Sequence, residues 1–245
     1  MITVNNGFYA KHLKRILDFS FALISVIILS PVFIILTITG AAAMHGNPFF
    51  TQPRPGIIDP STGKETLFFL LKFRSMSNKR DENGKLLPDA ERLNAYGKFL
   101  RKTSLDELPQ LINVLSGSCA LVGPRAQLVR DMTFMTARQR QRHLVRPGIT
   151  GLAQVNGRNT ISWEDKFEYD LKYIQNGITF HNDTNILFKT FMKVFYTGDV
   201  VRKGTATDTD FGDWLLERGK ITQEEYDLHQ REAIEFLGGG LNSNG

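Results

Sequence analysis

The sequence predicts an α/β protein that is compact, mostly helical and bound to a membrane. Three observations support this fold class. An apolar segment near the N-terminus carries no charged residue from Phe19 to Met44. Two β-prone runs flank the turn-rich sequence DPSTGKE and predict a small β-hairpin. Much of the remaining chain has helical spacing, as in SWEDKFEYDLKYIQ, where Trp163 and Phe167 fall on one face.

Composition limits the protein class. A chain of 245 residues with 42% hydrophobic content can bury a sizeable core, and this excludes a disordered protein. The single cysteine, Cys119, rules out an intramolecular disulfide and is compatible with a reducing compartment. The histidines have no metal-ligand spacing with one another or with Cys119, so no zinc site is expected. A net charge of +5 suits nucleic acid, an anionic membrane surface or phosphorylated substrates equally.

The apolar segment predicts attachment to a membrane. As a helix it would be roughly 39 Å long, enough to cross a hydrocarbon core of about 30 Å. It is too long for the apolar part of a cleavable signal peptide. Ser30 and Pro31 lie near its middle, and a proline there removes a hydrogen bond and bends a helix. Two alternatives follow: a kinked spanning helix, or a broken helix that re-enters the same leaflet.

The charges that flank the segment favour the re-entrant helix. Basic residues lie on both sides of it, at Lys11, Lys14 and Arg15 before it and at Arg54, Lys64, Lys72 and Arg74 after it. A spanning helix would export the second group, whereas a re-entrant helix keeps both groups on the cytoplasmic face beside anionic headgroups.

The rest of the chain predicts a series of short elements and three regions. We expect a hairpin over 49–76, a loop over 77–90, helices over 91–101, 131–145 and 163–174, a glycine-rich loop over 146–159, an amphipathic helix over 184–197 that is interfacial or buried, and a helical pair over 199–237 broken near Gly219. Thr222 and Glu225 have capping-box spacing. The regions are a membrane helix (1–47), a catalytic domain (48–197) and a C-terminal tail (198–245).

The sequence TSLDELPQLINVL sets two carboxylates, Asp106 and Glu107, before a proline and an apolar run. A structural interpretation is available, since Ser104 and Glu107 have capping-box spacing and acidic residues complement a helix dipole. A helix that starts at Asp106 would instead place Pro109 in its first turn. In either case the pair lies at a helix N-terminus, where backbone N–H groups also favour phosphate.

Basic residues in turns or at strand ends surround this pair in the sequence. They are Lys72, Arg74, Arg101, Arg125, Arg146 and Arg158. One such residue is usually a solvated surface charge, but six around an acidic pair indicate a polyphosphate site. Phosphoryl transfer usually requires Mg²⁺ held by carboxylates and substrate oxygens, and a carboxylate can also be the nucleophile. Asp106 and Glu107 are therefore candidates for catalysis and for the metal, and the spacing does not assign the metal to either.

The chain resembles the bacterial sugar transferases, the monotopic phosphoglycosyl transferases, from about residue 14 to residue 197. The motifs that carry the resemblance are KRILD, the Ser30-Pro31 break, TQPRPG, LLKFRSM, RKTSLDELPQLINVLSG, LVGPR and RPGITGLAQVNGRN. The short N-terminus is similar to that of small family members. The resemblance implies a small α/β-like fold with a re-entrant helix and interfacial helices around a compact core.

The resemblance also implies a reaction at the cytoplasmic face of a bacterial inner membrane. A sugar-1-phosphate would pass from a UDP-sugar to undecaprenyl phosphate, with release of UMP and a requirement for Mg²⁺. Asp106 matches the nucleophile that forms a covalent phosphoglycosyl aspartate, and Glu107 matches the second residue of the pair, at the metal. Arg101 and Arg125 fall in motifs that serve the phosphates and the nucleotide.

Other residues carry over from the membrane segment of the family. Lys14, Arg15 and Asp18 match the motif where the chain enters the membrane, and Ser30-Pro31 matches the break of the re-entrant helix. We expect membrane lipid as a partner and no nucleic acid, with a homodimer possible. One departure is Ala126, where the family has proline after GPR, so the turn beside Arg125 is less rigid.

Two other functions are alternatives. A polyprenyl-phosphate glycosyltransferase would move only the sugar and release UDP, but it has no use for a nucleophilic Asp106. A basic membrane-anchored scaffold would not be an enzyme, and it gives no reason for two carboxylates among arginines. The motifs do not specify which sugar is carried, the glycan pathway or the role of the tail.

Overall fold

Helices dominate the architecture, as predicted. The structure is a computed structural model that describes residues 2–4, 7–157, 161–196 and 209–242. The α-helices are α1 (Lys14–Ile28), α2 (Ser30–Met44), α3 (Asp89–Arg92), α4 (Ala95–Thr103), α5 (Gln110–Ser116), α6 (Val129–Met132), α7 (Ala137–Arg140), α8 (Leu152–Val155), α9 (Trp163–Lys172), α10 (Phe180–Tyr196), α11 (Phe211–Glu217) and α12 (Gln223–Asn242). The strands are β1 (Phe49–Ile58), β2 (Glu65–Phe73), β3 (Ala120–Val122) and β4 (Gly148–Thr150). The bounds of the three predicted regions stay predictions.

Helices α1 and α2 break where the sequence predicts. Ser30 begins α2 and Pro31 lies in its first turn, where a missing N–H leaves no hydrogen bond unmade. Helix α1 continues a π-helical turn, and the stretch Tyr9–Ile28 meets Ser30–Met44 at 64°. Within the described part of the chain, none of the helices taken singly has the length and apolar character to cross a membrane, whereas this bent pair has them jointly. By length and composition the pair is a broken span or a re-entrant loop, and the re-entrant path stays a prediction.

The bent pair has one face on the protein and one face uncovered. Ala22 of α1 packs against α5 and β3, and Leu36 of α2 packs against β2 and α4. The opposite face exposes large apolar side chains, among them Ile28 at 69%. Such a contiguous apolar surface is typical of contact with lipid or another protein.

The predicted hairpin is confirmed. Strands β1 and β2 pair antiparallel, with Phe49 opposite Phe73 and Phe50 opposite Lys72. This register puts Lys72 near the end of β2.

A second, parallel pair of strands was missed. Strand β3 pairs with β4, and β4 lies inside the stretch that was predicted as a glycine-rich loop. Gly148 is required here because a Cβ at this position would collide with the backbone of Gly123. The Gly148 N–H donates to Pro124 O at 2.9 Å, so β4 holds the Gly123-Pro124-Arg125 turn.

Two predicted helices are broken in the structure. The helix expected over 91–101 is replaced by α3 and α4, because Asn94 caps a new helix by accepting the Gly97 N–H at 2.8 Å. The helix expected over 131–145 is divided into α6, α7 and a 3₁₀ turn, because Thr136 and Gln139 form a capping box that starts α7. Capping side chains outweigh continuous helical propensity at both places.

The C-terminal helical pair predicted over 199–237 is confirmed from residue 209 onward, and residues 199–208 lie outside the described residues. Helix α11 ends before Gly219, which has φ +62°, and α12 follows. Thr222 and Glu225 form the predicted capping box, with the Glu225 N–H 3.2 Å from Thr222 Oγ1 and the Thr222 N–H 2.8 Å from Glu225 Oε2.

Candidate active site

The acidic pair lies on a 3₁₀ turn, not at the cap of a helix. The turn covers Leu105–Glu107 and connects α4 to α5. Ser104 makes no side-chain capping bond, so the expected capping box with Glu107 is wrong. The physical reason is that Ser104 has a left-handed backbone, with φ 56°, that closes α4, whereas an N-cap residue needs an extended backbone. Helix α5 begins at Gln110, after Pro109.

Two cations from separate elements hold the Glu107 carboxylate. Lys72 Nζ, from β2, lies 3.2 Å from Glu107 Oε1. Arg125 Nη2, from the turn after β3, lies 2.5 Å from the same oxygen, and its Nη1 lies 3.5 Å from Oε2. These bonds are stronger than neutral ones because both donor and acceptor are charged. All three side chains are also partly shielded from water, which reduces screening of their charges.

Asp106 lies beside this ion-pair cluster and is affected by it. Burial and the negative charge of Glu107 raise the pKa of Asp106, while Lys72, Arg101 and Arg125 oppose the rise. Burial lowers the pKa of Lys72, and Glu107 raises the pKa of Arg125. The structure therefore brings together five predicted site residues as one electrostatic unit.

Arg101 and Arg74 are linked through Ser75, the residue that follows Arg74 in the chain. Arg101 Nε donates to Ser75 Oγ at 3.1 Å, and its positive charge opposes the rise in the pKa of Asp106. Arg74 follows the end of β2, and its Nε is buried with no hydrogen-bond partner in the described part of the chain. A buried donor without a partner is expensive, so Arg74 is suited to an added acceptor such as a phosphate oxygen.

Arg146 and Arg158 are not brought to the acidic pair in the described structure. Arg146 Nε donates to Gly117 O at 2.8 Å, just past the C-terminal end of α5, whereas Asp106 and Glu107 precede its N-terminal end. Arg158 lies outside the described residues. Their contacts with substrate stay predictions.

Arg54 was predicted only as a basic residue that flanks the apolar segment and was given no role in the site, although it lies in the motif TQPRPG. Arg54 donates to Gln52 Oε1 at 2.7 Å and to Ala126 O at 3.3 Å. Burial, and then the charge of Arg125, lower the pKa of Arg54 to about 10, while Asp131 and Glu107 oppose this. The available signal was the spacing of Gln52 and Arg54, which puts both side chains on one face of a strand.

Asn113 is a second residue that was missed. It is buried on α5, and its amide bonds to both sides of Leu70 in β2. Oδ1 accepts the Leu71 N–H at 2.9 Å, and Nδ2 donates to Phe69 O at 2.8 Å. This pair of bonds fixes α5 against β2, and so sets Lys72 relative to Glu107.

The residues predicted where the chain enters the membrane fasten α1 to the core. Arg15 donates to Val114 O at 2.5 Å and to Leu115 O at 2.9 Å, which satisfies carbonyls at the C-terminal end of α5. Lys14 Nζ lies 2.6 Å from Asp183 Oδ2 on α10 and 3.6 Å from Asp18 Oδ2.

No role was predicted for Asp183. Besides its ion pair with Lys14, its carboxylate accepts hydrogen bonds from the Tyr9 hydroxyl at 2.8 Å and from the Tyr173 hydroxyl at 2.7 Å. At the helix break, Ser30 Oγ donates to Ile27 O at 2.8 Å.

The carboxylates fit a Mg²⁺ ion that arrives with its substrate. No group of three or more His, Cys, Asp and Glu side chains suited to a metal occurs among the residues that the structure describes. Mg²⁺ needs only one or two carboxylates when phosphate oxygens and water complete its shell, and Asp106 with Glu107 can supply these. Glu107 would then share its oxygens with Lys72 and Arg125.

Comparison with known proteins places the chain in a family. A family model described as bacterial sugar transferase matches residues 9–197. A Bacillus subtilis (strain 168) protein named "Uncharacterized sugar transferase EpsL" is 45% identical over 200 residues, which are 81% of this chain and 95% of that protein.

Longer proteins match with part of their length. An Escherichia coli (strain K12) protein named "UDP-glucose:undecaprenyl-phosphate glucose-1-phosphate transferase" is 37% identical, over 75% of this chain and 40% of its own. A Salmonella typhimurium protein named "Undecaprenyl-phosphate galactose phosphotransferase" is 35% identical, over 74% of this chain and 40% of its own. The chain therefore spans less than half the length of these two relatives.

The chain belongs to the bacterial sugar transferase family. The predicted family and the predicted enzyme class, a phosphoglycosyl transferase, are confirmed.

Proposed function

We propose that this protein transfers a sugar-1-phosphate from a UDP-sugar to undecaprenyl phosphate and releases UMP. The observation that carries the proposal is the Glu107 carboxylate held by Lys72 and Arg125, with Asp106 beside it in the same field. The printed names of the Escherichia coli and Salmonella relatives support sugar-phosphate transfer to this lipid.

In the first step, Asp106 is the nucleophile. A carboxylate oxygen attacks the β-phosphorus of the UDP-sugar, and the bond from this phosphorus to the bridging oxygen breaks. UMP leaves with that oxygen and its electron pair, and the sugar-1-phosphate remains as an acyl phosphate on Asp106. In the second step, a phosphate oxygen of the lipid attacks the same phosphorus. The Asp106 carboxylate is released, and the product is a polyprenyl-diphosphate sugar.

The cations of the site have electrostatic roles. Lys72, Arg101 and Arg125 offset the charge of the diphosphate, and they favour the ionised form of Asp106, which must be unprotonated to attack. Asp106 and Glu107 would hold Mg²⁺, which when bound supplies further neutralisation of phosphate oxygens.

The membrane arrangement belongs to the same proposal. We place the bent pair α1–α2 as a re-entrant helix in the cytoplasmic leaflet of a bacterial inner membrane, so that the protein is monotopic. Helix α10 lies in the interface, because it exposes Phe188 and Phe191 while Ile186 faces the core. The acceptor lipid then reaches the site from the leaflet below.

The first test follows the intact mass of the protein. We expect a sugar-phosphate adduct on the wild type when a panel of UDP-sugars is supplied with Mg²⁺ and undecaprenyl phosphate is withheld. Asp106→Asn, which removes the nucleophile, should form no adduct and lose turnover by at least about 10³-fold. Asp227→Asn changes an exposed carboxylate on α12 in the same way and should react like the wild type.

Other outcomes of this test argue against the proposal. Release of UDP on addition of lipid would support the glycosyltransferase alternative. Full turnover by Asp106→Asn would exclude the covalent mechanism. Chelation of divalent cations with EDTA should stop UMP release, and undiminished release would exclude the role of Mg²⁺.

A further inference from the structure

The C-terminal segment, which we define as α11 and α12, lies beyond the residues matched by the family model. It is nevertheless packed tightly on the catalytic core. The Phe211 ring is 3% exposed and lies between Trp163 and Phe167, with centroids 5.2 and 5.0 Å away. A Cβ at Gly212 would collide with the Phe134 ring, so the first turn of α11 contacts the core without a gap.

One buried carboxylate joins this segment to α6. Asp131 is 1% exposed, and its Oδ1 accepts the Phe211 N–H at 2.9 Å. Phe211 is the first residue of α11, so this N–H has no partner within its own helix. Asp131 thereby satisfies the start of α11, and a carboxylate buried this deeply needs such a bond and a nearby cation.

Helix α12 holds α6 from a second direction. Ala233 is buried against Val129 and Met132, and Leu67 of β2 packs on the same cluster. Both helices of the C-terminal segment therefore contact the four-residue helix that follows the Arg125 turn.

Arg54 on β1 reaches the backbone of the Arg125 turn. Asp131 lies on α6, which packs against β1, the strand that carries Arg54. Burial raises the pKa of Asp131, and the charge of Arg130 and then that of Arg54 oppose this rise. Arg54 donates to Ala126 O, and Arg142 Nη2 donates to Arg125 O at 2.6 Å, so the backbone of the turn is held on both sides. Because Ala126 has no proline ring to restrict its φ, the turn depends more on these hydrogen bonds than it would with proline at this position.

We propose that the C-terminal segment positions the Arg125 guanidinium against Glu107 through Phe211, Asp131 and Arg54. Asp131 and Arg54 are positioning residues, and α11 and α12 form part of the catalytic unit. The inference rests on the proposed function only for its kinetic readout, because the placement of the Arg125 turn can be measured without turnover.

The structural test is hydrogen–deuterium exchange of the full-length protein in nanodiscs. Asp131→Asn keeps the size of the side chain and removes the charge that acts on Arg130 and Arg54. We expect the peptide over 121–128 to exchange at least about five-fold faster in this variant, while α4, which packs against α2, is unchanged. Arg54→Lys keeps the charge and loses the planar fork, and should have the same local effect.

The matched control breaks a contact of the turn that joins α11 to α12. Lys220 pairs with Glu164 on α9, and both side chains are about half exposed. Lys220→Gln should leave exchange over 121–128 and turnover unchanged, since a surface ion pair contributes little.

The kinetic test measures the rate of UMP release per active site. The concentration of active sites is taken from the amount of covalent adduct that the protein forms. Asp131→Asn should lower kcat about ten-fold and change KM for the UDP-sugar less than about three-fold, because Arg125 is misplaced but not removed. Unchanged exchange over 121–128, an equal rise throughout the chain, or an unchanged kcat would each overturn the positioning role. A wild type that releases no UMP would instead overturn the proposed function, and the exchange data would still decide the placement of the turn.

Discussion

Two adjacent carboxylates, Asp106 and Glu107, have different surroundings in this protein. Glu107 forms ion pairs with Lys72 from β2 and Arg125 from the turn after β3, so it is fixed in place. Asp106 is influenced by the same cations and by Glu107, and its pKa is raised. A fixed carboxylate beside one of altered basicity suits a division between positioning and attack.

Another pair of titratable residues affects stability. His143 Nδ1 lies 3.2 Å from Glu65 Oε1, and Arg140 Nε donates to the same oxygen at 2.8 Å. Burial lowers the pKa of His143 to about 4. Burial alone would raise the pKa of Glu65, but hydrogen bonds from His143 and Arg140 outweigh it and lower this pKa to about 2.

We predict that the protein loses stability as the pH falls from about 6.5 to about 4 because of His143. The unfolded chain binds a proton on this histidine in that range, whereas the folded chain does not. Between about pH 7 and pH 5 the wild type should lose about 2 kcal/mol more than His143→Gln, measured by urea unfolding in detergent. Glu65 adds a loss in the same direction below about pH 4.5. Parallel pH profiles for wild type and variant would contradict this role.

At the scale of elements, local signals were sufficient for the hairpin, for α9 and for the two C-terminal helices. The turn residues of DPSTGKE, the spacing of Trp163 and Phe167, and the capping box at Thr222 each act within a few residues. The β3–β4 pair could not be predicted, since three-residue strands show no periodicity and their contact joins distant segments.

The candidate site was likewise predictable only where short motifs mark its residues. Short motifs marked Lys72, Arg101 and Arg125, which the fold brings near Asp106. Arg54, Asn113 and Asp131 were missed because their roles depend on long-range contacts, and Ser104 was misread because its left-handed backbone is set by the end of α4.

Asn113 provides a test of how α5 and β2 are joined. Asn113→Ala leaves the Leu71 N–H and the Phe69 carbonyl without their bonds, so we expect a loss of about 2–3 kcal/mol in stability. Turnover should fall as well, because Lys72 is no longer held against Glu107. Asn156→Ala removes an exposed amide that bonds to Leu152 O in the adjacent helix α8, and it should cost under about 1 kcal/mol. Equal losses in the two variants would show that the inter-element bonds are unimportant.

At the scale of the whole molecule, the bent pair and the core behave as one unit. Helix α1 bonds to α5 through Arg15 and to α10 through Lys14, and α2 packs on β2 and α4. A helical pair held at this many points is fixed to the core.

We predict that both ends of the bent pair face the cytoplasm. His12→Cys and Asn47→Cys put exposed thiols before α1 and after α2, and Asp227→Cys marks the C-terminal segment. The native Cys119 is buried, and burial raises its pKa to about 12, so it gives little background. A membrane-impermeant maleimide should label all three in inverted vesicles and none in spheroplasts. Labelling of His12→Cys from the side opposite to Asn47→Cys would show a spanning helix.

Helix α5 links two boundaries of the protein. Its C-terminal carbonyls are bonded by Arg15, at the level where we place the start of the membrane segment, and the acidic pair precedes its N-terminus. Seven residues of helix measure about 10 Å. In the proposed membrane arrangement, this length would limit how far the carboxylates can lie from the headgroup plane. Acceptor lipids would be selected by how far their phosphate rises out of the bilayer, independently of the length of their tails.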